Sequence, residues 1–165
     1  VVYYGSLPAG SVAPGVYSVT GTNGAAVSLS AKITVGSPIQ IQTPFPPGTV
    51  ISSSQPLTIR WTGGDPDSLV RVALGASSAT GGSTSSYAYA HATDGSLTMT
   101  PVCTVGGALS PPVCGFGIPA SSKASMSVTV LPDPSKTPTI TVPGVTGPVS
   151  LGWSYAYGFR DLVLQ

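Results

Sequence analysis

Two-residue alternation, broken at short intervals by Gly or Pro, is what most restricts this chain. Val27, Leu29, Ala31, Ile33 and Val35 alternate with Ser28, Ser30, Lys32 and Thr34, the pattern of a strand with one face in a core and the other in water. The same period recurs at Leu57, Ile59 and Trp61, at Val70, Val72 and Leu74, and at Met126, Val128 and Val130. It is longest at Val149, Leu151, Trp153, Tyr155, Tyr157 and Phe159. Nowhere do apolar residues keep helical spacing for more than a turn or two. With 21 Gly and 17 Pro in 165 residues, a helix would be interrupted before it could propagate. About nine or ten strands, with turn signals every ~8–15 residues, predict an all-β fold: an antiparallel immunoglobulin-like β-sandwich with Pro/Gly-rich loops.

The turn residues divide this pattern into units. Asn23-Gly24 is a hairpin signal, so residues 15–35 are expected to form a β-hairpin. Ile39 and Ile41 alternate with Gln40 and Gln42, and then three prolines within residues 44–47 break the pattern, because Pro cannot serve a central ladder. Residues 43–48 therefore predict a linker or an edge crossing, and as a linker they would separate an N-terminal strand-and-hairpin unit, 1–42, from a main sandwich domain, 49–165. A lone hairpin is marginally stable, so residues 1–42 are expected to pack on the main domain or on a neighbouring subunit. Leu57–Trp61 and Val70–Leu74, joined by GGDPDS, read as a second hairpin with Trp61 in the core. Residues 75–86 read as a flexible small-residue loop, and residues 132–138 as a turn. After Asp161 the apolar phase moves to Leu162 and Leu164, which predicts a bulge or a change of sheet.

Charge is scarce: six basic and five acidic residues, for a net charge of +1. A nucleic-acid partner needs a basic patch to replace counterions along the phosphates, and six scattered cations do not supply one. Most catalysis recruits His, Asp, Glu, Lys or Cys; the chain has one His, His91, and no Glu. The expectation is a protein that is not an enzyme and needs no cofactor or metal. One His without a G-x-S-x-G elbow gives a Ser-His-Asp triad almost no support. Asp65-Pro66-Asp67 offers two carboxylates, too few for a calcium cage, and reads as a turn whose Asp side chains bond turn amides. Every hydrophobic run is shorter than the roughly 18 residues of a membrane helix, so no membrane span is expected. The chain starts with Val and shows no basic stretch followed by an apolar one, so any export signal is expected to be already removed or to lie outside it.

Cys103 and Cys114 sit within CTVGGALSPPVC. The spacing is not that of a zinc or redox motif, and the Gly- and Pro-rich segment lets its ends meet. A disulfide there is expected, contributing about 2–3 kcal/mol in the chain-entropy model, and it places the protein in an oxidising, extracellular setting. Asn23, the sole Asn, lies in Asn-Gly-Ala, which is not a glycosylation sequon.

Several stretches resemble a known group. SVAPGVYSVTGTNGA with LSAKITV, ISSSQPLTIRWTGGDPDSLVRVAL, CGFGIPAS and VPGVTGPVSLGWSYAY together look like secreted β-rich, immunoglobulin-like proteins of environmental bacteria. In these a GxYxVTGxGG hairpin precedes a PLTxxWxGGDP strand and turn. The likeness covers most of the chain, and the WxGGDP turn is its most specific element. It implies export and a β fold; no activity is established for the group.

Three apolar features remain. Tyr87, Tyr89 and His91 share one strand face, and Trp153, Tyr155, Tyr157 and Phe159 share another. Such aromatics stack on sugars or serve protein interfaces, although Trp and Phe are usually largely buried. For the last strand a core role is favoured, and for the tyrosine pair a surface role. The N-terminal VVYYGSL, with Val1, Val2, Tyr3, Tyr4 and Leu7, has high strand propensity and no turn pairing it with the neighbouring segment. It is the candidate for completing the sheet of another copy. The expected function is a secreted, non-enzymatic structural subunit of an extracellular filament or surface assembly, held by β-strand exchange with copies of itself. The alternative is a cell-surface adhesion or carbohydrate-binding module whose partner is a surface glycan.

Overall fold

The computed structural model describes residues 8, 10–23, 27–77, 83–104, 113–118, 121–137, 139–142, 146–147 and 149–165. Among the described residues fourteen strands succeed one another in chain order: β1 (Gly15–Asn23), β2 (Val27–Val35), β3 (Ile39–Ile41), β4 (Val50–Ile51), β5 (Leu57–Gly63), β6 (Ser68–Ser77) and β7 (Ser83–His91). After a 3₁₀ turn at Ala92–Asp94 come β8 (Ser96–Met99), β9 (Val102–Thr104), β10 (Val113–Gly115), β11 (Ser121–Pro132), β12 (Thr139–Ile140), β13 (Val149–Ser150) and β14 (Tyr155–Leu164). The chain is all-β, as alternation predicts. Among the described residues no helix is long and apolar enough to cross a membrane.

A five-stranded sheet runs β4-β14-β11-β6-β7 and a three-stranded sheet runs β3-β5-β8. Pairing is antiparallel except where β14 meets β4 in parallel. One core joins the two sheets: Val70, Val72 and Leu74 of β6 and Met126, Val128 and Val130 of β11 meet Ile39, Ile59, Trp61 and Met99 of the smaller sheet. Each of these is at most 4 % exposed. The alternation read from sequence is thus the burial pattern of the central strands, since side chains at i and i+2 share a face.

The predicted second hairpin does not form. β5 lies in the three-stranded sheet and β6 in the five-stranded one, so their connection crosses between sheets. Gly63 and Gly64 stand at φ +80 and +88, a left-handed pair that redirects the chain where an L side chain would be strained. Of the two readings of residues 43–48, the edge crossing is the one that fits, since β3 ends one sheet and β4 the other. Phe45 is 8 % exposed in the core and meets Phe159 edge-on at 5.4 Å. Ile39 and Ile41, assigned by sequence to the N-terminal unit, pair with Gly63 and Trp61 of β5. The prolines mark where one edge segment leaves the smaller sheet as β3 and joins the larger as β4.

Other expectations are met or narrowed. β1 and β2 pair from Gly15↔Val35 to Asn23↔Val27, the hairpin expected at 15–35, with the turn itself, 24–26, outside the described residues. The small-residue loop is shorter than expected: β6 continues to Ser77 and β7 begins at Ser83, leaving 78–82 outside the description. The run from Val149 is two strands rather than one, with β13 pairing with β12 and β14 with β11 and β4. The phase change near Asp161 is a bulge. Between Ala124↔Leu162 and Met126↔Phe159 the last strand carries one residue more than its partner. Asp161 takes up the excess at φ 56, a conformation that Asp tolerates better than most residues.

Candidate functional site

The outward face of the five-stranded sheet carries the tyrosine pair. Tyr87 and Tyr89 stand on β7, which ends the sheet, opposite Ala73 and Arg71 of β6. They are 63 % and 49 % exposed, and their rings meet edge-on at 5.9 Å with planes 80° apart. Inward-pointing Ala88 and Ala90 keep β7 against the core, so alternation sends both tyrosines outward, as the sequence predicts. His91 is exposed on the same side, and its backbone N–H donates to Asp94 Oδ2 at 3.0 Å. Rings at 80° form a ridge rather than one flat platform.

The second aromatic face is mostly turned inward, with Trp153 also bordering a cleft. Trp153, Tyr155, Tyr157 and Phe159 are half-buried and packed against the core. The Trp153 indole N–H donates to Thr34 O at 2.7 Å, and its ring meets Tyr155 edge-on at 5.3 Å. Tyr157 donates its hydroxyl to Ile39 O at 2.6 Å. This stripe ties β2 to Trp153 and β3 to β14, with its side chains packed against the core on the inward side that the sequence favours. Burial pushes the phenols of Tyr155 and Tyr157 up from their usual range, with the Tyr17 phenol and the Asp65 carboxyl adding to the effect at Tyr155. The Tyr155 hydroxyl is buried without a hydrogen-bond partner.

At one end of the two sheets, the loop after β5 and the loop after β11 converge beneath the β1–β2 ribbon. Asp65, Pro66 and Asp67 form a turn, with Ser68 N–H donating to Asp65 O at 3.0 Å. Their carboxylates do not bond the turn amides, contrary to the expectation from sequence. Asp65 Oδ2 accepts instead from Ser37 N–H at the foot of the ribbon, and Asp67 lies 3.5 Å from Lys136 Nζ. The reason is tertiary: the crossing between sheets aims the turn at two segments remote in sequence. Ser68 and Asp133, 1 % and 8 % exposed, line the cleft so formed together with Lys32 and Trp153. Periodicity missed this cleft because its residues come from loops and strand ends scattered along the chain, from Pro14 to Trp153. Among the described residues no three His, Cys, Asp or Glu side chains come together as a metal site.

Asp133 accepts hydrogen bonds from Ser135 N–H at 2.8 Å and Ser135 Oγ–H at 2.7 Å. These bonds, side chain first, hold its carboxyl below the usual carboxylate range. A carboxyl whose pKa is lower folded than unfolded adds stability above its unfolded value and loses it as pH falls through the folded one. Denaturant midpoints are therefore expected to fall as pH drops below about 4. Asp133→Asn, which keeps an acceptor oxygen, is expected to flatten part of that fall; an identical pH slope in the variant would refute the assignment.

Cys103 and Cys114 stand directly opposite each other in the β9–β10 pair. The segment Val1–Leu7, with Val1, Val2, Tyr3, Tyr4 and Leu7, lies outside the described residues. No family model, curated protein or solved structure matches the chain.

Proposed function

We propose that this chain is a secreted, non-catalytic structural module, an immunoglobulin-like β-sandwich that assembles with copies of itself at a cell surface or in an extracellular filament. The strand order supports the fold. Setting aside the β1–β2, β9–β10 and β12–β13 pairs and taking β3 and β4 as the two halves of a first strand split between the sheets, β5 is the second strand, β6 the third, β7 the fourth, β8 the fifth, β11 the sixth and β14 the seventh. β3-β5-β8 then corresponds to the first, second and fifth strands, and β14-β11-β6-β7 to the seventh, sixth, third and fourth, an arrangement of the immunoglobulin and fibronectin type.

One observation carries the self-assembly reading. The outward face of the five-stranded sheet presents Tyr87 and Tyr89 beside Ala73, Gly75, Ser125, Ser127, Ala156 and Gly158, with Arg71 across from Tyr89 and Arg160 following Gly158 on the same phase. Small side chains let another backbone approach closely, and the tyrosine ridge supplies contact area at low entropic cost. Net charge near zero leaves little repulsion between copies. Exchange of the Val1–Leu7 strand remains part of the proposal, as does a Cys103–Cys114 disulfide. Residues facing each other across an antiparallel pair have Cα atoms about 4.5–5.5 Å apart, within the disulfide range of about 4.4–6.8 Å. Export, itself part of the proposal, fits that bond.

Sedimentation and electron microscopy of the purified full chain test the proposal. Assemblies are expected, weakened by Tyr87→Ser with Tyr89→Ser if the sheet face carries contact, and lost on removing residues 1–7 if strand exchange does. A monomer throughout the micromolar range would overturn self-assembly.

A further inference from the structure

The cleft beneath the β1–β2 ribbon has a volume of about 640 Å³, inside the range of about 300–1,000 Å³ typical of small-molecule sites. It lies where the loops after β5 and β11 meet. Those are the loops between the second and third strands, and after the sixth, of the sandwich, and binding residues concentrate on loops held by a rigid scaffold. The two polar side chains buried most deeply among the described residues, Ser68 and Asp133, both line it.

We infer that this cleft binds a short neutral oligosaccharide. Its chemistry selects that class. Asp65, Asp67 and Asp133 supply carboxylate acceptors, Lys32 and Lys136 supply ammonium donors, and Trp153 supplies an aromatic wall. Sugar hydroxyls both donate and accept, so they can use both kinds of group at once. Three carboxylates against two ammoniums disfavour phosphate or sulfate ligands, while the lysines and the lack of a converging donor set disfavour a bare cation. The site is also held in shape before any ligand arrives. The Trp153 indole is fixed by Thr34 O and Tyr155, and Ser37 N–H is clasped by Asp65. Binding here is independent of self-association and does not involve Tyr87 or Tyr89.

The two tryptophans make the site readable. Trp61 is 2 % exposed and donates to Ala92 O, so a ligand-induced change in emission reports Trp153. The test titrates the full chain with soluble fragments of cellulose, chitin, xylan, β-1,3-glucan and mannan, following fluorescence and heat. At least one fragment is expected to bind saturably with an emission change. Lys32→Ala and Asp67→Ala, both exposed and outside the core, are each expected to weaken it by about tenfold or more, the loss of one charge-assisted hydrogen bond. Their melting temperatures should stay at the wild-type value, and Tyr87→Ala with Tyr89→Ala should bind normally. Either the absence of saturable binding across the panel, or binding unaltered in both cleft variants, would overturn the assignment.

Discussion

Gly64→Ala is expected to destabilise the fold by about 3 kcal/mol. Gly64 stands at φ +88, and a Cβ built there would lie 2.6 Å from Ala92 Cβ and 3.1 Å from Ile39 Cγ2. The left-handed backbone alone costs an L residue about 1–2 kcal/mol. The contact adds overpacking, typically about 1–3 kcal/mol, because the Ala92 Cβ has no rotamer through which to retreat. Gly48→Ala is the matched control. Gly48 has nearly the same φ, +85, with nothing within 4 Å of the added atom, so it bears the backbone cost only. For a domain of this size each kcal/mol moves the melting temperature by roughly 2–4 °C. Calorimetry should therefore place Gly64→Ala clearly below Gly48→Ala, and equal melting temperatures would show that the Gly64–Ala92 contact does not exist.

Trp61→Ala is expected to cost more still, about 3–5 kcal/mol, a large part of the whole stability of a domain. The side chain is 2 % exposed within the core, and its indole N–H donates to Ala92 O at 2.7 Å. Trp61→Phe separates the two contributions: most of the ring volume stays, while the carbonyl is left buried without that donor, at about 1–3 kcal/mol. Equilibrium denaturation should rank wild type, Trp61→Phe and Trp61→Ala in that order. A Trp61→Phe protein as stable as wild type would remove the hydrogen bond from the account. Because a Cβ at Gly64 would press on Ala92, whose carbonyl Trp61 holds, substitutions at the two positions should be non-additive in a double-mutant cycle.

Much of this fold is legible in the chain itself. The inward positions of β5, β6, β11 and β14 follow from alternation, and the outward placement of Tyr87 and Tyr89 follows from it too. The bulge at Asp161 is visible as a change of phase between Phe159 and Leu162. These are legible because the two-residue period is a property of the extended backbone itself. Alternation says which face of a strand is apolar, though, and any apolar partner satisfies it. So β5 and β6, adjacent and similarly patterned, look like a hairpin while belonging to different sheets. Phe45, hidden among prolines, looks like part of a linker. Trp153, Tyr155 and Tyr157 have the composition of a binding surface, yet two of them donate their polar hydrogens to Thr34 and Ile39, more than a hundred residues away in sequence.

That the chain is all-β, which residues of each central strand face inward, and where the last strand changes phase are written in the order of amino acids alone, since local sterics and side-chain polarity decide these within a few residues. The pairing of strands, the crossing at Gly63-Gly64, the clasp between Asp65 and Ser37 and the cleft above Ser68 and Asp133 exist only once the chain has folded. Each depends on which of several equally apolar faces meet, and that choice rests on packing and hydrogen bonds between residues far apart in the chain.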